Sequence, residues 1–273
     1  MERGGALEDE ALGILQDFDR LRSFRFIQRG CDTPRHLDDA YALQRRFKAL
    51  RVERGEETIG FKVGCTGPTV RATLGIKESV HGYLWRHEQM KSGAVLSESR
   101  FRRLGIEGEL CVRLISTQGP VAEWLVDYEP IIELHHFVFD GPPETRAYEL
   151  IARNALHCGV VHASGRRRCR LGDIPLDRPI VVTIDGHVVE APVLRDLELV
   201  GLRGPVATIT WLIERLRAEQ NGEQLKPGNF ILTATPGNVI PLEAGSRLDV
   251  DFMGLRASCA VVAADSAEMN ARL

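Results

Sequence analysis

No apolar stretch of the chain approaches the roughly 20 consecutive residues that a helical membrane span takes. The N-terminus, Met1 to Asp19, also lacks the basic start and apolar core of a signal peptide. Cysteine is sparse and scattered, at positions 31, 65, 111, 158, 169 and 259, with no Cys-x-x-Cys pair and no His-rich partner segment. That spacing excludes a disulfide frame and a structural zinc site and reads as buried free thiols in a reducing cytoplasm. Neither sign of charge dominates, since 35 Lys and Arg face 38 Asp and Glu, and the net charge is −3. Nucleic acid and membrane are therefore not expected as partners. The one basic run, Gly165-Arg166-Arg167-Arg168-Cys169-Arg170, reads as a solvated loop. Gly-x-Gly-x-x-Gly, the Walker loop and the Gly-x-Ser-x-Gly elbow are all missing. Nucleotide binding and serine hydrolysis thus lose their usual supports. There is no repeat and no low-complexity linker.

What is present is an ordinary globular composition, 44% hydrophobic and 27% charged. The first hundred residues read as mostly helical. One helix is expected to start at Thr33-Pro34 and end at Gly55, with Leu37, Ala40, Tyr41, Leu43, Gln44 and Phe47 on a stripe. Thr58 to Gly64 reads as a strand, and Pro68 to Leu74 as a helix stopped by Gly75. From about residue 104 short strands follow: Ile106 to Ile115, Ile131 to Phe139, Val160 to Ala163, Ile180 to Ile184, His187 to Glu190, Phe230 to Ala234 and Leu248 to Phe252. Asp185-Gly186 between two alternating runs is a hairpin signal. Pro205 to Glu219 reads as a helix with Val206, Ile209, Leu212, Ile213 and Leu216 on one face. The expected layout is a mainly helical region over residues 1–95 that carries the Lys62 strand, and a β-rich metal-binding core over residues 96–273. The two together form one catalytic unit.

The sharpest chemical feature is Gly105-Ile106-Glu107-Gly108-Glu109-Leu110. Alternate residues of a strand share a face, so Glu107 and Glu109 project side by side. Two adjacent carboxylates repel, and a hard divalent cation removes that cost; a solvent-facing edge would remove it too. Glu133 sits inside the apolar run Pro130-Ile131-Ile132-Glu133-Leu134, where an ionised carboxylate needs a partner. The neighbouring His135 and His136 are read as ordinary hydrogen-bonded residues near a strand end, although both have the chemistry of ligands. Lys62, between small residues in Gly60-Phe61-Lys62-Val63-Gly64, is a candidate proton carrier or anion holder. Ile231 to Val239 runs from an apolar strand into Thr233, Thr235 and a Pro-Gly turn, and so offers donors for a carboxylate.

Taken in order, several segments resemble the fumarylacetoacetate hydrolase superfamily. They are Ala40-Tyr41-Ala42-Leu43-Gln44, Gly60 to Thr66, Leu74-Gly75, Gly82-Tyr83-Leu84, Ile106 to Glu109, Ile132-Glu133, Asn154-Ala155 and Gly228 to Thr233. Within that superfamily the chain is similar to the 2-keto-4-pentenoate hydratase / 4-oxalocrotonate decarboxylase branch. The resemblance runs from about Asp39 onward. It implies an α+β fold with a mixed β-roll or barrel-like core and an N-terminal helical region. It also implies a Mg²⁺ or Mn²⁺ site and a homo-oligomer, in some cases paired with a hydratase or decarboxylase homologue. Glu107, Glu109 and Glu133 match the family's metal ligands. Lys62 matches its lysine for binding or proton transfer, and Lys62, Val63, Thr233 and Thr235 are the expected substrate-binding residues. Two segments depart from the pattern. Ser79-Val80-His81 stands where hydratases carry an acidic residue, which leaves His81 as the candidate base. Thr233-Ala234-Thr235-Pro236 is closer to the hydrolase branch. The activity implied is a cytoplasmic, metal-dependent hydro-lyase adding water to 2-hydroxypenta-2,4-dienoate-like 2-oxo acids in aromatic hydrocarbon catabolism. The alternatives are 4-oxalocrotonate-type decarboxylation, acylpyruvate C–C hydrolysis, and a catalytically weak partner subunit.

Overall fold

The computed structural model describes residues 2–21, 37–136 and 146–264. The expected helix start at Thr33-Pro34 and the end of the strand expected to reach Phe139 lie outside those residues. Among the described residues there are five α-helices: α1 Glu2–Asp19, α2 Leu37–Glu53, α3 Pro68–Leu74, α4 Arg146–Ala152 and α5 Gly204–Glu219. The early strands are β1 Thr58–Gly64, β2 Val80–Trp85, β3 Gln89–Lys91 and β4 Ala94–Ser97. The long central pair is β5 Leu104–Ser116 and β6 Leu125–His136, followed by β7 His157–His162 and β8 Arg167–Arg170. Then come β9 Val181–Ile184, β10 His187–Glu190, β11 Glu198–Leu199, β12 Leu202–Arg203, β13 Phe230–Leu232, β14 Ile240–Pro241, β15 Arg247–Phe252 and β16 Leu255–Val262.

Local chemistry accounts for several of these boundaries. In α2, Asp38 and Asp39 occupy the first turn and Arg51 the last, the charge order that a helix dipole favours. Pro68 opens α3, where its missing N–H costs nothing, and Gly75 closes it. The Asp185-Gly186 hairpin joins β9 to β10 as expected. Two expectations are corrected. Residues 58–97 hold four strands, so the first hundred residues are less helical than their composition suggests. The arginine run is not a loop: its last four residues form β8 on the edge of β6, and Arg168 forks onto Asp127 at 2.7 and 3.0 Å.

Among the described residues two large sheets stand beside the small β11–β12 ribbon. The larger is mixed and runs β2-β1-β13-β5-β6-β7-β3, with β14 and β8 added at β5 and β6. It curls, so that β2 touches β7 across the gap. The concave side holds a small apolar core of Ile59, Leu84, Cys111, Ile131, Val160 and Leu232. The convex side packs against the second sheet, β10-β9-β15-β16-β4, and against α5, over a large core that includes Phe61, Val63, Tyr83, Ile132, Val182 and Val250. Helices α1, α2 and α4 form a third cluster with Ile76 and Val80. No helix is long and apolar enough to cross a membrane, among the described residues.

Gly108 shows why two glutamates flank a glycine. A Cβ there would meet Val182 Cγ2 at 2.5 Å, so its absence lets the second sheet lie directly against β5. With residue 108 aimed at that sheet, residues 107 and 109 must aim into the concave side.

Candidate metal centre

Strand register assembles the site. Glu107 of β5 lies directly opposite Glu133 of β6, and Glu109 lies opposite Ile131. Cross-strand partners share a face, so all three glutamates point into the curl of the large sheet. Lys62 joins them through the parallel pair β1–β13, where it faces Leu232, which in turn faces Cys111 of β5. Glu109, Glu133 and Lys62 are buried, and Glu107 stands nearer the mouth. Lys62 Nζ is 3.4 Å from Glu133 Oε1. His135 adds an imidazole, with Nε2 3.0 Å from Glu107 Oε2 and 3.5 Å from Glu133 Oε2. His157 closes the far side, with Nδ1 2.7 Å from Glu133 Oε1.

The electrostatics of this cluster are incomplete as it stands. Burial, with the charges of Glu133 and Glu107 beside it, pushes the Glu109 carboxyl well above the usual carboxylate range. Burial would raise Glu133 too, but Lys62, His135 and the hydrogen bond from His157 outweigh it and hold that carboxyl below its ordinary value. Desolvation works against the Lys62 ammonium, and Glu133, Glu107 and Glu109 together reverse the effect and raise its pKa, so Lys62 is a held cation. Both oxygens of Glu109 and Oε2 of Glu133 are buried without a hydrogen-bond donor among the described residues. Buried carboxylate oxygens with no donor are costly, and a divalent cation is the partner that their number and type fit. Glu107, Glu133 and His135 each offer an atom within 4.8 Å of the others. Two or three carboxylates with one imidazole suit Mg²⁺, or Mn²⁺ if the nitrogen binds.

Of the residues read from the sequence, the structure thus brings Lys62, Glu107, Glu109 and Glu133 together. It does not bring His81 there. His81 pairs with Val63, one residue out of step with the Lys62–Gly82 pair, so its ring lies on the opposite face of the sheet. There Nε2 is 2.7 Å from Glu219 Oε1 at the end of α5, and the ring stacks on Tyr41 with centroids 4.9 Å apart. His81, the candidate base from its position before Gly82, thus stands apart from the glutamate cluster, because an alternating strand cannot turn both residues inward. The side chain of Val63 likewise enters the convex core. Thr233 Oγ1 donates to the Leu110 carbonyl at 2.9 Å, and Thr235 Oγ1 accepts from the Gly237 amide at 3.0 Å. Both hydroxyls are thus engaged by the backbone.

His135 and His157 are the residues that the sequence reading left out of the site. For His135 the signal was present, because it alternates with Glu133 on one strand. For His157 there was none. It follows three consecutive left-handed residues, Asn154, Ala155 and Leu156 (φ 58°, 51° and 61°), and none of them is a glycine that would mark the turn. Such residues cost of order 1–3 kcal/mol each and persist where surroundings over-determine them. Here Asn154 Oδ1 accepts from the Tyr83 amide at 2.6 Å and Nδ2 donates to the Tyr83 carbonyl at 2.9 Å. Gly82 permits this approach, since a Cβ there would meet the Asn154 carbonyl oxygen at 2.8 Å.

No family model matches the chain. Among curated proteins it is 26% identical over 226 residues to a 4-oxalocrotonate decarboxylase of Pseudomonas putida, covering 80% of this chain and 82% of that protein. It is 25% identical over 228 residues to 2-keto-4-pentenoate hydratase 1 of Dechloromonas aromatica (strain RCB), covering 80% and 82%. Among solved structures it matches 4-oxalocrotonate decarboxylase from Pseudomonas putida G7, complexed with magnesium and adipate. That match has a TM-score of 0.80 at 21% identity, over 94% of this chain and 98% of that one. The resemblance read from the sequence motifs is to the branch in which these enzymes fall, and the fold is that of the fumarylacetoacetate hydrolase type.

Proposed function

We propose that the chain is a divalent-metal-dependent enzyme acting on a 2-oxo acid with a conjugated chain, and that its reaction is decarboxylation of a vinylogous 2-oxo diacid. The observation that carries the choice over hydration is Val80. It pairs with Gly64, two residues from Lys62 on the same strand, so it shares the Lys62 face. Within β2 it is the residue before Gly82 on that face, and its apolar side chain packs into the helix cluster with Ile76. Adding water requires a group there that takes a proton from the water, whereas losing carbon dioxide does not.

A cation held by Glu107, Glu109 and Glu133 would supply Lewis acidity toward the 2-oxo group and C1 carboxylate. The residues of the chain do the rest. In decarboxylation the bond to the distal carboxylate breaks, and its electron pair runs along the conjugated chain to the 2-oxo oxygen. Carbon dioxide leaves, and one proton must return to the dienolate, on oxygen to give a 2-hydroxydienoate or on carbon to give a 2-oxo enoate. Lys62 is a buried ammonium in contact with Glu133 and is the proton donor. Ile131, Leu232 and Val160 line the concave side with buried apolar surface and would keep bulk water from the dienolate.

Three ionised carboxylates balance Lys62 plus a divalent cation, so neither carboxylate of a diacid is neutralised by these groups, and the distal one, away from the cation, needs a further positive partner. Arg71 of α3 has no carboxylate partner among the described residues; it donates to the Thr66 carbonyl and acts on Cys65, which also feels Lys62 and Glu107. The solved decarboxylase that shares the fold was bound to magnesium and to adipate, a dicarboxylate.

Hydration is the second reading. It is favoured by His135, whose imidazole lies within reach of the centre and would serve as the base if it does not bind the metal. An assay on purified protein with Mg²⁺ or Mn²⁺ separates the readings, using a vinylogous 2-oxo diacid, 2-hydroxypentadienoate and an acylpyruvate. Metal-dependent loss of carbon dioxide from the diacid is the expected result. A product heavier by one water supports hydration. No turnover of any of the three removes the proposal.

A further inference from the structure

His157 has no role in the reaction drawn above, yet it is buried against Glu133. Its two ring nitrogens face two different carboxylates. Nδ1 is 2.7 Å from Glu133 Oε1, and because a carboxylate accepts, Nδ1 carries the proton and donates. Nε2 is 3.6 Å from Glu88 Oε2. Glu88 in turn accepts from Arg51 Nη2 at 2.6 Å, and Arg51 Nε donates to Glu56 at 2.7 Å. The Arg51 side chain is itself fully buried, with its guanidinium 3.9 Å over the Trp85 ring. A row of charged and polar groups thus runs from Glu133 through His157, Glu88 and Arg51 to the end of α2. The strained turn Asn154-Ala155-Leu156, pinned to Tyr83, delivers His157 to the head of that row.

The geometry has a direct consequence for Glu133. Oε1 is occupied by His157 and neighboured by Lys62, while Oε2 is left without a donor on the side of Glu107 and His135. We propose that His157 is a positioning residue: its Nδ1–H fixes the Glu133 carboxylate so that Oε2 is presented to the cation. This rests on the reading of Glu133 as a ligand. Groups that orient a ligand in this way set metal affinity without touching the metal.

Binding of Mn²⁺, followed by the loss of its free EPR signal, tests this without any turnover, on wild type, Glu133→Gln, His157→Leu and His157→Asn. In the asparagine variant the amide nitrogen can stand where Nδ1 stood and still donate. His157→Leu should weaken Mn²⁺ binding about 10- to 100-fold, and His157→Asn should recover most of that loss. Wild-type affinity in His157→Leu overturns the proposal, as does an asparagine variant no better than leucine. Wild-type affinity in Glu133→Gln instead removes Glu133 as a ligand and leaves His157 with nothing to position. If the leucine variant does not fold, ¹⁵N-histidine NMR of the metal-free wild type decides: a proton on the Nδ1 of His157 upholds the proposal, and a bare Nδ1 overturns it.

Discussion

Replacing Glu109 by glutamine keeps the shape of the side chain and removes its capacity for negative charge. In the protein without metal, Glu109 is buried with both oxygens unpartnered among the described residues, beside Glu133 and Glu107. Leaving such a group unsatisfied costs about 1–3 kcal/mol. An amide in its place carries no charge and can donate to the empty Oε2 of Glu133. Glu109→Gln should therefore be more stable than wild type in EDTA by about 1–3 kcal/mol. At about 2–4 °C per kcal/mol for a chain of this size, that is a rise in Tm of roughly 2–12 °C. Saturating metal offsets most or all of that advantage. A ligand at 100 times its Kd stabilises the folded state by about 2.7 kcal/mol, and wild type should gain this while the variant should not. The assay is thermal unfolding by circular dichroism or calorimetry, with EDTA and then with millimolar Mn²⁺. A variant less stable than wild type in EDTA, or one that keeps the Mn²⁺ shift, would refute the claim that Glu109 is a ligand held in wait for a cation.

Four further outcomes follow from the same geometry. Lys62→Met should lower kcat by about 10²–10⁴-fold, with Mn²⁺ binding retained as read by EPR. His81→Phe should leave kcat within a few-fold of wild type, since His81 faces Glu219 and not the metal. It should still destabilise the fold by about 1–3 kcal/mol in denaturant melts. Glu219 supplies a pH dependence. Burial raises its carboxyl, but the hydrogen bond and charge of His81, with Arg215 and Arg45, hold it below the ordinary value. Its contribution is present above the unfolded carboxylate pKa and lost as pH falls through the lower folded one, so Glu219→Gln should flatten the acid limb of a Tm-versus-pH curve. Val80→Asp puts a carboxylate on the Lys62 face. It should yield some hydrated product by mass spectrometry, and an unchanged product spectrum would count against the role given to that position.

Much of the fold was legible because its signals are local. Thr58–Gly64, Pro68–Leu74 and the Asp185-Gly186 hairpin are bounded by glycine, proline and alternation within a few residues, and the structure has them at those places. Elements without such signals were missed. In β2, Val80 to Trp85 is buried on both faces and shows no alternation. In β16, Ala257 and Cys259 alternate inward, but small side chains make a faint pattern. Helix α1 buries Ala11 and Ile14 together with the acidic Glu10 and Asp17, so its acidic residues do not mark its exposed face. The three glutamates and Lys62 were legible for a chemical reason, because charges inside apolar strands need partners. The face that His81 occupies was not, since it depends on register between strands, and one step of register inverts every side chain. His157 was the least legible, because it is placed by a left-handed turn without glycine and by the contact of Asn154 in that turn with Tyr83, 71 positions from Asn154.

The most direct measurement is a titration of the metal-free protein with Mn²⁺ by EPR, repeated with oxalate as a stable mimic of an enolised 2-oxo acid. The expected result is one tightly bound Mn²⁺ per chain, with a spectrum that changes when oxalate is added and a signal that Glu133→Gln does not bind. No tight Mn²⁺, or bound Mn²⁺ indifferent to oxalate, would contradict a metal centre built from these glutamates to take a 2-oxo acid.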